Sequence, residues 1–362
     1  MANRTKIGAT IGPASANPGI LESMIKAGMN FARLNFSHGS YDSHRDLIGA
    51  IRSAARAINQ SVQIMQDLQG PKMRLGVLPA EGLVLKAGDN IQLDTSRAAY
   101  ENDGVLPVTF PGLEKHLAVG ERILIDDGHL AITITAITGS GIAAVVVDGG
   151  RVTSHKGLNF PDSTFVGIPA LSDKDKQDIA FAIKEGVEII SLSFVKSAAD
   201  IIELRKVIAE AQKQAGTTEK VYVVGKIERP EAVKNFKEII EHVDAIMIAR
   251  GDLGLEMPQE KLPITQKNII RLSNAAGIPV MVATQLLDSM QHSRRPSRAE
   301  ISDVANAVID GADALLLTNE TAVGEFPLET VETLRDIIIE TEKSTYDDAI
   351  SPVSADRKGL FV

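Results

Sequence analysis

Apolar runs of four to eight residues alternate with longer amphipathic stretches over most of the chain, and one long interruption breaks the pattern. This alternation constrains the fold most, because short buried strands separated by helix-length segments are the grammar of βαβ units and a parallel sheet. Before the interruption, KIGATIG (6–12), FARLNF (31–36) and VQIMQDLQ (62–69) read as strands, with helices predicted at 18–28 and 40–59. After it come EIISLSFV (188–195), KVYVVGKIE (220–228), DAIMIARGD (244–252), IPVMVATQ (278–285) and DALLLTNE (313–320). Three strands plus five make eight, which suggests an α/β fold of the (β/α)8 TIM-barrel type; a doubly wound open sheet is the rival.

The interruption, residues 76–169, is dense in glycine and proline and lacks long helical periods. Runs such as NIQLDT, ERILIDD, HLAITITAIT and AAVVVDGG read as a small all-β, barrel-like domain inserted after the third strand. The expected organisation is a barrel domain formed by 1–75 and 170–345, an inserted domain at 76–169 and a C-terminal tail at 346–362 with no further domain.

Composition excludes several chemistries. The absence of cysteine removes thiolate nucleophiles, Cys-zinc sites, iron–sulfur clusters and disulfides. A formal net charge of −9 argues against nucleic acid or an anionic membrane as the main partner. No run reaches the roughly 18 apolar residues of a membrane span, and the N-terminus has no apolar signal core, so a cytoplasmic protein is expected. Phosphate-loop, dinucleotide, zinc-protease and serine-hydrolase motifs are missing.

In a (β/α)8 barrel the chemistry sits at the carboxyl ends of the strands. Those ends carry Thr10, then Arg33, Asn35, Ser37 and His38, then Asp67 with Lys72 and Arg74 beyond, then Lys226 and Glu228, Arg250 and Asp252, Thr284, and Thr318 to Thr321. Glu228 and Asp252 form an oxygen pair suited to Mg²⁺. Arg33, Arg74, Arg250 and Lys226 are cations suited to phosphate. Each also has a structural reading: an Arg33–Asp67 ion pair, a Lys226–Glu228 bridge, a turn at Arg250–Asp252. Their convergence on one rim points to metal-assisted phosphoryl or enolate chemistry.

The stretches TKIGATIGPAS, MNFARLNFSHGSYDSH, MQDLQGPKMR, GKIERPEAV, IMIARGDLGLE, VMVATQLLDSM, RRPSRAEISDVANAVIDGADA and NETAVGEFPLE strongly resemble the pyruvate kinase family, in the family's order. The resemblance implies Mg²⁺-dependent phosphoryl transfer from phosphoenolpyruvate to ADP, giving pyruvate and ATP in glycolysis. It implies that Arg33 contacts phosphate, and that Asn35, His38, Arg74 and Lys156 lie near the nucleotide phosphates. Lys226 would stabilise the transferring group, and Glu228 and Asp252 would bind Mg²⁺. Gly251, Asp252 and Thr284 would hold the substrate carboxylate, with Thr284 also on the protonation route. The alternatives are an Mg²⁺–pyruvate enolate aldolase on the same barrel and a catalytically silent relative.

Two features depart from the common family pattern. Potassium-dependent relatives usually carry Thr, Lys, Glu and Thr where this chain has Leu68, Gln69, Lys72 and Leu75. The present set resembles the potassium-independent branch, with the Lys72 ammonium replacing a monovalent cation beside Asp67, Asn35 and Ser37. Family members commonly continue into a C-terminal domain that this reading does not find, so a homodimer through the barrel domain is expected, with RRPSRAEISD (294–303) near the contact.

Overall fold

The computed structural model describes residues 4–163, 168–346 and Leu360; apart from Tyr346 and Leu360, the expected tail lies outside the described residues. Eight parallel strands close into a barrel: β1 (Lys6–Thr10), β2 (Met29–Asn35), β3 (Gln63–Asp67), β4 (Ile189–Leu192), β5 (Tyr222–Ile227), β6 (Ala245–Ala249), β7 (Val280–Ala283) and β8 (Ala314–Leu317). Each strand pairs with its neighbours in sequence order, and β8 closes on β1. The barrel, rather than the open sheet, is the fold.

The chain divides into two compact units. The barrel unit comprises Met1–Gly70, Ala170–Arg250 and Leu262–Val362. Its interior is a buried cluster that includes Phe31, Met65, Ile189, Val224, Ala245, Met247, Met281, Ala283, Ala314 and Leu316. Gly8 makes room for this cluster: a Cβ there would lie 2.2 Å from the Phe31 ring. The helices turn their apolar faces to the strands, and their starts are locally encoded. Ser40, Ser172 and Ser297 each cap a helix through a reciprocal capping box, with Ser43, Asp175 and Glu300, three residues on, as the partners.

The second unit comprises Pro71–Pro169 and Gly251–Lys261. It contains a six-stranded sheet, with Leu130–Thr138 and Gly141–Asp148 at its centre, and a two-stranded sheet pairing Leu83–Leu85 with Gly150–Val152. One apolar core, including Leu75, Leu93, Ile123, Ile132, Ile142 and Phe160, fills it. Among the described residues no helix is long and apolar enough to cross a membrane.

Candidate active site

Side chains alternate inward and outward along a strand, so the residue two positions after an interior apolar residue also faces inward, one layer nearer the carboxyl end. From Phe31, Met65, Ile189 and Val224 this rule leads to Arg33, Asp67, Ser191 and Lys226. Strand register sets them side by side: Arg33 pairs with Thr10 and Met65, and Asp67 with Asn35 and Ser191.

They form one network. Arg33 donates from Nε and Nη2 to Asp67 Oδ2, both at 2.7 Å, and from Nη1 to Thr10 Oγ1 at 3.0 Å. Lys226 Nζ lies 3.1 Å from Asp67 Oδ1 and 2.9 Å from Glu228 Oε1, and donates to Ser193 Oγ at 2.7 Å. Ser193 Oγ in turn donates to the Leu68 carbonyl at 2.7 Å, and Ser191 Oγ donates to Asp67 Oδ1 at 2.9 Å. Glu228 Oε2 accepts the Phe194 N–H at 2.7 Å. Phe194 holds a left-handed backbone (φ 56°), which turns that N–H after β4.

Burial makes these charges matter. Asp67, Glu228 and Lys226 are 2%, 1% and 7% exposed. Burial alone would raise the Asp67 pKa; Lys226 and Arg33 overcome it and hold the carboxyl at about 2. Burial likewise works against the Lys226 ammonium, but Asp67 and Glu228 raise its pKa above the ordinary value. Both structural ion pairs weighed from the sequence therefore exist, and the Asp67 and Glu228 carboxylates, working against burial and the nearby Arg33 charge, keep the lysine charged in the barrel mouth.

After β2, Asn35 accepts the Ser37 N–H at 3.1 Å in a short turn that leads to an exposed His38. The His38 carbonyl meets His44 Nε2 at 2.9 Å, and the His44 ring stacks on Phe36. Arg250 differs from the phosphate cation that its position suggested. Its guanidinium bonds the Thr284 and Gln285 carbonyls and the Asp303 carboxylate. Glu320, fully buried, accepts from Thr318 N and Leu287 N and so joins the loops after β7 and β8.

The second unit gathers another set. Leu75 N bonds Lys156 O at 2.9 Å and Leu158 N bonds Met73 O at 3.0 Å, so the segments carrying Arg74 and Lys156 run side by side. A Cβ at Gly157 would meet Lys72 Cε at 3.3 Å. Lys72 Nζ lies 3.5 Å from Asp252 Oδ1, and Lys156 Nζ 2.7 Å from Asp126 Oδ1. Burial lowers the Arg74 pKa, with Asp127 and Asp252 opposing. Asp252 and Gly251 belong to the helix Arg250–Glu256, which opens directly where β6 ends, not to a strand end. Ser191 and Ser193 escape a search for charged groups, since the end of β4 carries none. The two-residue alternation of SLS would have found them.

A closed (β/α)8 barrel with a buried lysine held between two carboxylates and an arginine at its carboxyl rim is the frame of a barrel enzyme that manages anionic charge. The family model "Pyruvate kinase, barrel domain" matches residues 2–331. A pyruvate kinase of Thermococcus litoralis is 43% identical over 342 residues, covering 94% of this chain and 70% of that protein. One of Mycobacterium tuberculosis is 40% identical over all 362 residues, covering 75% of its length. Pyruvate kinase 2 of Synechocystis is 44% identical over 335 residues, covering 91% of this chain and 55% of that protein. The chain belongs to the pyruvate kinase family and is a kinase of that class.

Proposed function

We propose that the chain transfers the phosphoryl group of phosphoenolpyruvate to ADP, giving pyruvate and ATP in glycolysis, with Mg²⁺ as cofactor. The observation that carries this reading is the buried Lys226 ammonium, kept charged by Asp67 and Glu228 at the rim of a family barrel. A fixed cation in a low-dielectric site stabilises charge that develops on the transferring group without reorganising at the moment of reaction.

Arg33, whose side chain remains partly exposed beside Asp67, contacts substrate phosphate. Asn35, His38, Arg74 and Lys156 serve the nucleotide phosphates. Gly251, Asp252 and Thr284 hold the substrate carboxylate, and Thr284 lies on the route that protonates the enolate. Glu228 and Asp252 would hold Mg²⁺ through the hard carboxylate oxygens that this ion prefers. The ion supplies charge neutralisation and orientation of substrate oxygens. Lys72 stands in for a monovalent cation, so K⁺ is not required. The cytoplasm is the setting, and the working form is a homodimer through the barrel unit with residues 294–303 at the contact. Sedimentation at micromolar concentration tests the dimer, and a monomer would refute it.

The decisive assay couples pyruvate formation from phosphoenolpyruvate and ADP to an optical readout, with and without Mg²⁺ and K⁺. Mg²⁺-dependent, K⁺-insensitive turnover is expected; no turnover from the folded protein would overturn the assignment.

A further inference from the structure

The chain bends sharply after β7. Thr284 and Gln285 both hold left-handed backbones, with φ of 73° and 52°. Among the described residues, the other non-glycine residues with positive φ are Asn, Asp, His and Phe, so Thr284 is the one β-branched case. Such a conformation is unfavourable for an L-residue, most of all a β-branched one, and persists only where surrounding bonds impose it.

Arg250 supplies those bonds. Nη2 donates to Thr284 O at 2.7 Å and to Gln285 O at 2.9 Å, and Nε donates to Thr284 O at 3.2 Å. Nη1 donates to both oxygens of Asp303, at 2.7 and 2.9 Å. All three guanidinium nitrogens are thus engaged, in a side chain 8% exposed. Two consecutive carbonyls aimed at one planar fork require the strained bend, and the fork in turn is held by a carboxylate on the helix Arg298–Ile309.

We propose that Arg250 is a positioning residue for enolate protonation, fixing Thr284 in its left-handed conformation, with Asp303 holding the guanidinium in place. This rests on the role given to Thr284 above. In that step the enolate methylene carbon takes a proton delivered through the Thr284 hydroxyl. The C–C double-bond electrons form the new C–H bond, the enolate oxygen becomes the ketone of pyruvate, and solvent returns the proton to the hydroxyl.

Phosphoryl transfer and protonation can be separated. An enolate that is not protonated on the enzyme leaves and tautomerises in water, so ATP still forms. The test compares Arg250→Lys, Asp303→Asn and Thr284→Ala with the parent in two assays. One is ATP formation from phosphoenolpyruvate and ADP. The other is exchange of the pyruvate methyl protons with D₂O, followed by NMR in the presence of Mg²⁺ and ATP. Lysine keeps the charge but cannot span two carbonyls and a carboxylate. Arg250→Lys should slow exchange by about 10- to 100-fold, the scale of a catalytic group misplaced by around 1 Å, with a several-fold smaller effect on ATP formation. Asp303→Asn should shift the same ratio in the same direction by less, and it decides the matter if Arg250→Lys does not fold. Equal loss in both assays, or no loss in either, would overturn the positioning role. If Thr284→Ala leaves exchange at the parental rate, the Thr284 reading itself falls. If Thr284→Ala slows exchange and neither Arg250→Lys nor Asp303→Asn does, only the inference about Arg250 falls.

Discussion

Replacing Lys226 by methionine tests whether the charge network is held together by neutrality. Arg33 and Lys226 balance Asp67 and Glu228, so the cluster carries no net charge. Lys226→Met leaves two carboxylates, 2% and 1% exposed, with one cation between them. Removing one partner of a buried pair typically costs about 3–5 kcal/mol, because an uncompensated charge stays behind. Glu228→Gln alone leaves the opposite imbalance. The double variant restores neutrality and should therefore lose about 2 kcal/mol less than the sum of the two single losses, within the usual range for residues in direct contact. Urea unfolding followed by circular dichroism at neutral pH measures all three. The kinase assay runs alongside: Lys226→Met should lower kcat by on the order of 10³ or more with KM little changed, since the ammonium acts mainly in the transition state. The double variant should recover stability without recovering activity. Additive stability losses would refute the neutrality argument, and near-normal kcat in folded Lys226→Met would refute the catalytic assignment.

Asp67 should impose an acid limit. Its folded pKa of about 2 lies below the ordinary 3.8, so its contribution is fully present above about pH 4 and is lost as pH falls towards 2, a change of roughly 2 kcal/mol. Denaturant midpoints between pH 5 and pH 2 check this for the parent, and Asp67→Asn should flatten the slope. Lys226 works the other way: with its folded pKa raised, its contribution holds below 10.5 and is lost as pH rises through the folded value. Ser193→Ala removes a hydrogen bond to a buried ammonium and leaves the Leu68 carbonyl without that donor. A loss of about 2–4 kcal/mol in urea unfolding is expected, and Ser193→Thr should recover part of it. For Lys72, initial rate against KCl at constant ionic strength should be flat in the parent and rise in Lys72→Glu; strong K⁺ activation of the parent would refute the substitution of ammonium for cation.

The barrel was legible because its strands differ from its helices in length and period, and the charged rim was legible because ionisable residues at strand ends are conspicuous. The strand ends were less so. The runs ending at Val195, Asp252 and Gln285 read as strands in sequence, yet pairing stops at Leu192, Ala249 and Ala283, where the chain bends into left-handed turns or a helix. Thr284 and Gln285 carry no cue for positive φ, since glycine and asparagine are the residues that announce it. Arg250 reads in sequence as a phosphate cation for the same reason: two of its partners are backbone carbonyls whose direction depends on that bend, and the third is the distant Asp303. Ser191 and Ser193 bear no charge, and their importance comes from the lysine and aspartate that register places beside them.

The second unit is made of two stretches that are far apart in the chain, and this has a consequence for anyone who wishes to cut or graft the molecule. Its boundaries are crossed four times, at 70/71, 169/170, 250/251 and 261/262. The short stretch is no passive strap: Leu253 is fully buried, and the Glu256 carboxylate, 2% exposed, accepts from Asn159 Nδ2 at 2.9 Å and from Phe160 N. Deleting 71–169 would therefore strip two donors, Asn159 Nδ2 and Phe160 N, from a sheltered carboxylate on the helix that leaves β6. Transplanting 71–169 alone would leave 251–261, part of the same unit, behind. A transferable module needs both stretches, so it cannot be moved as a single continuous segment.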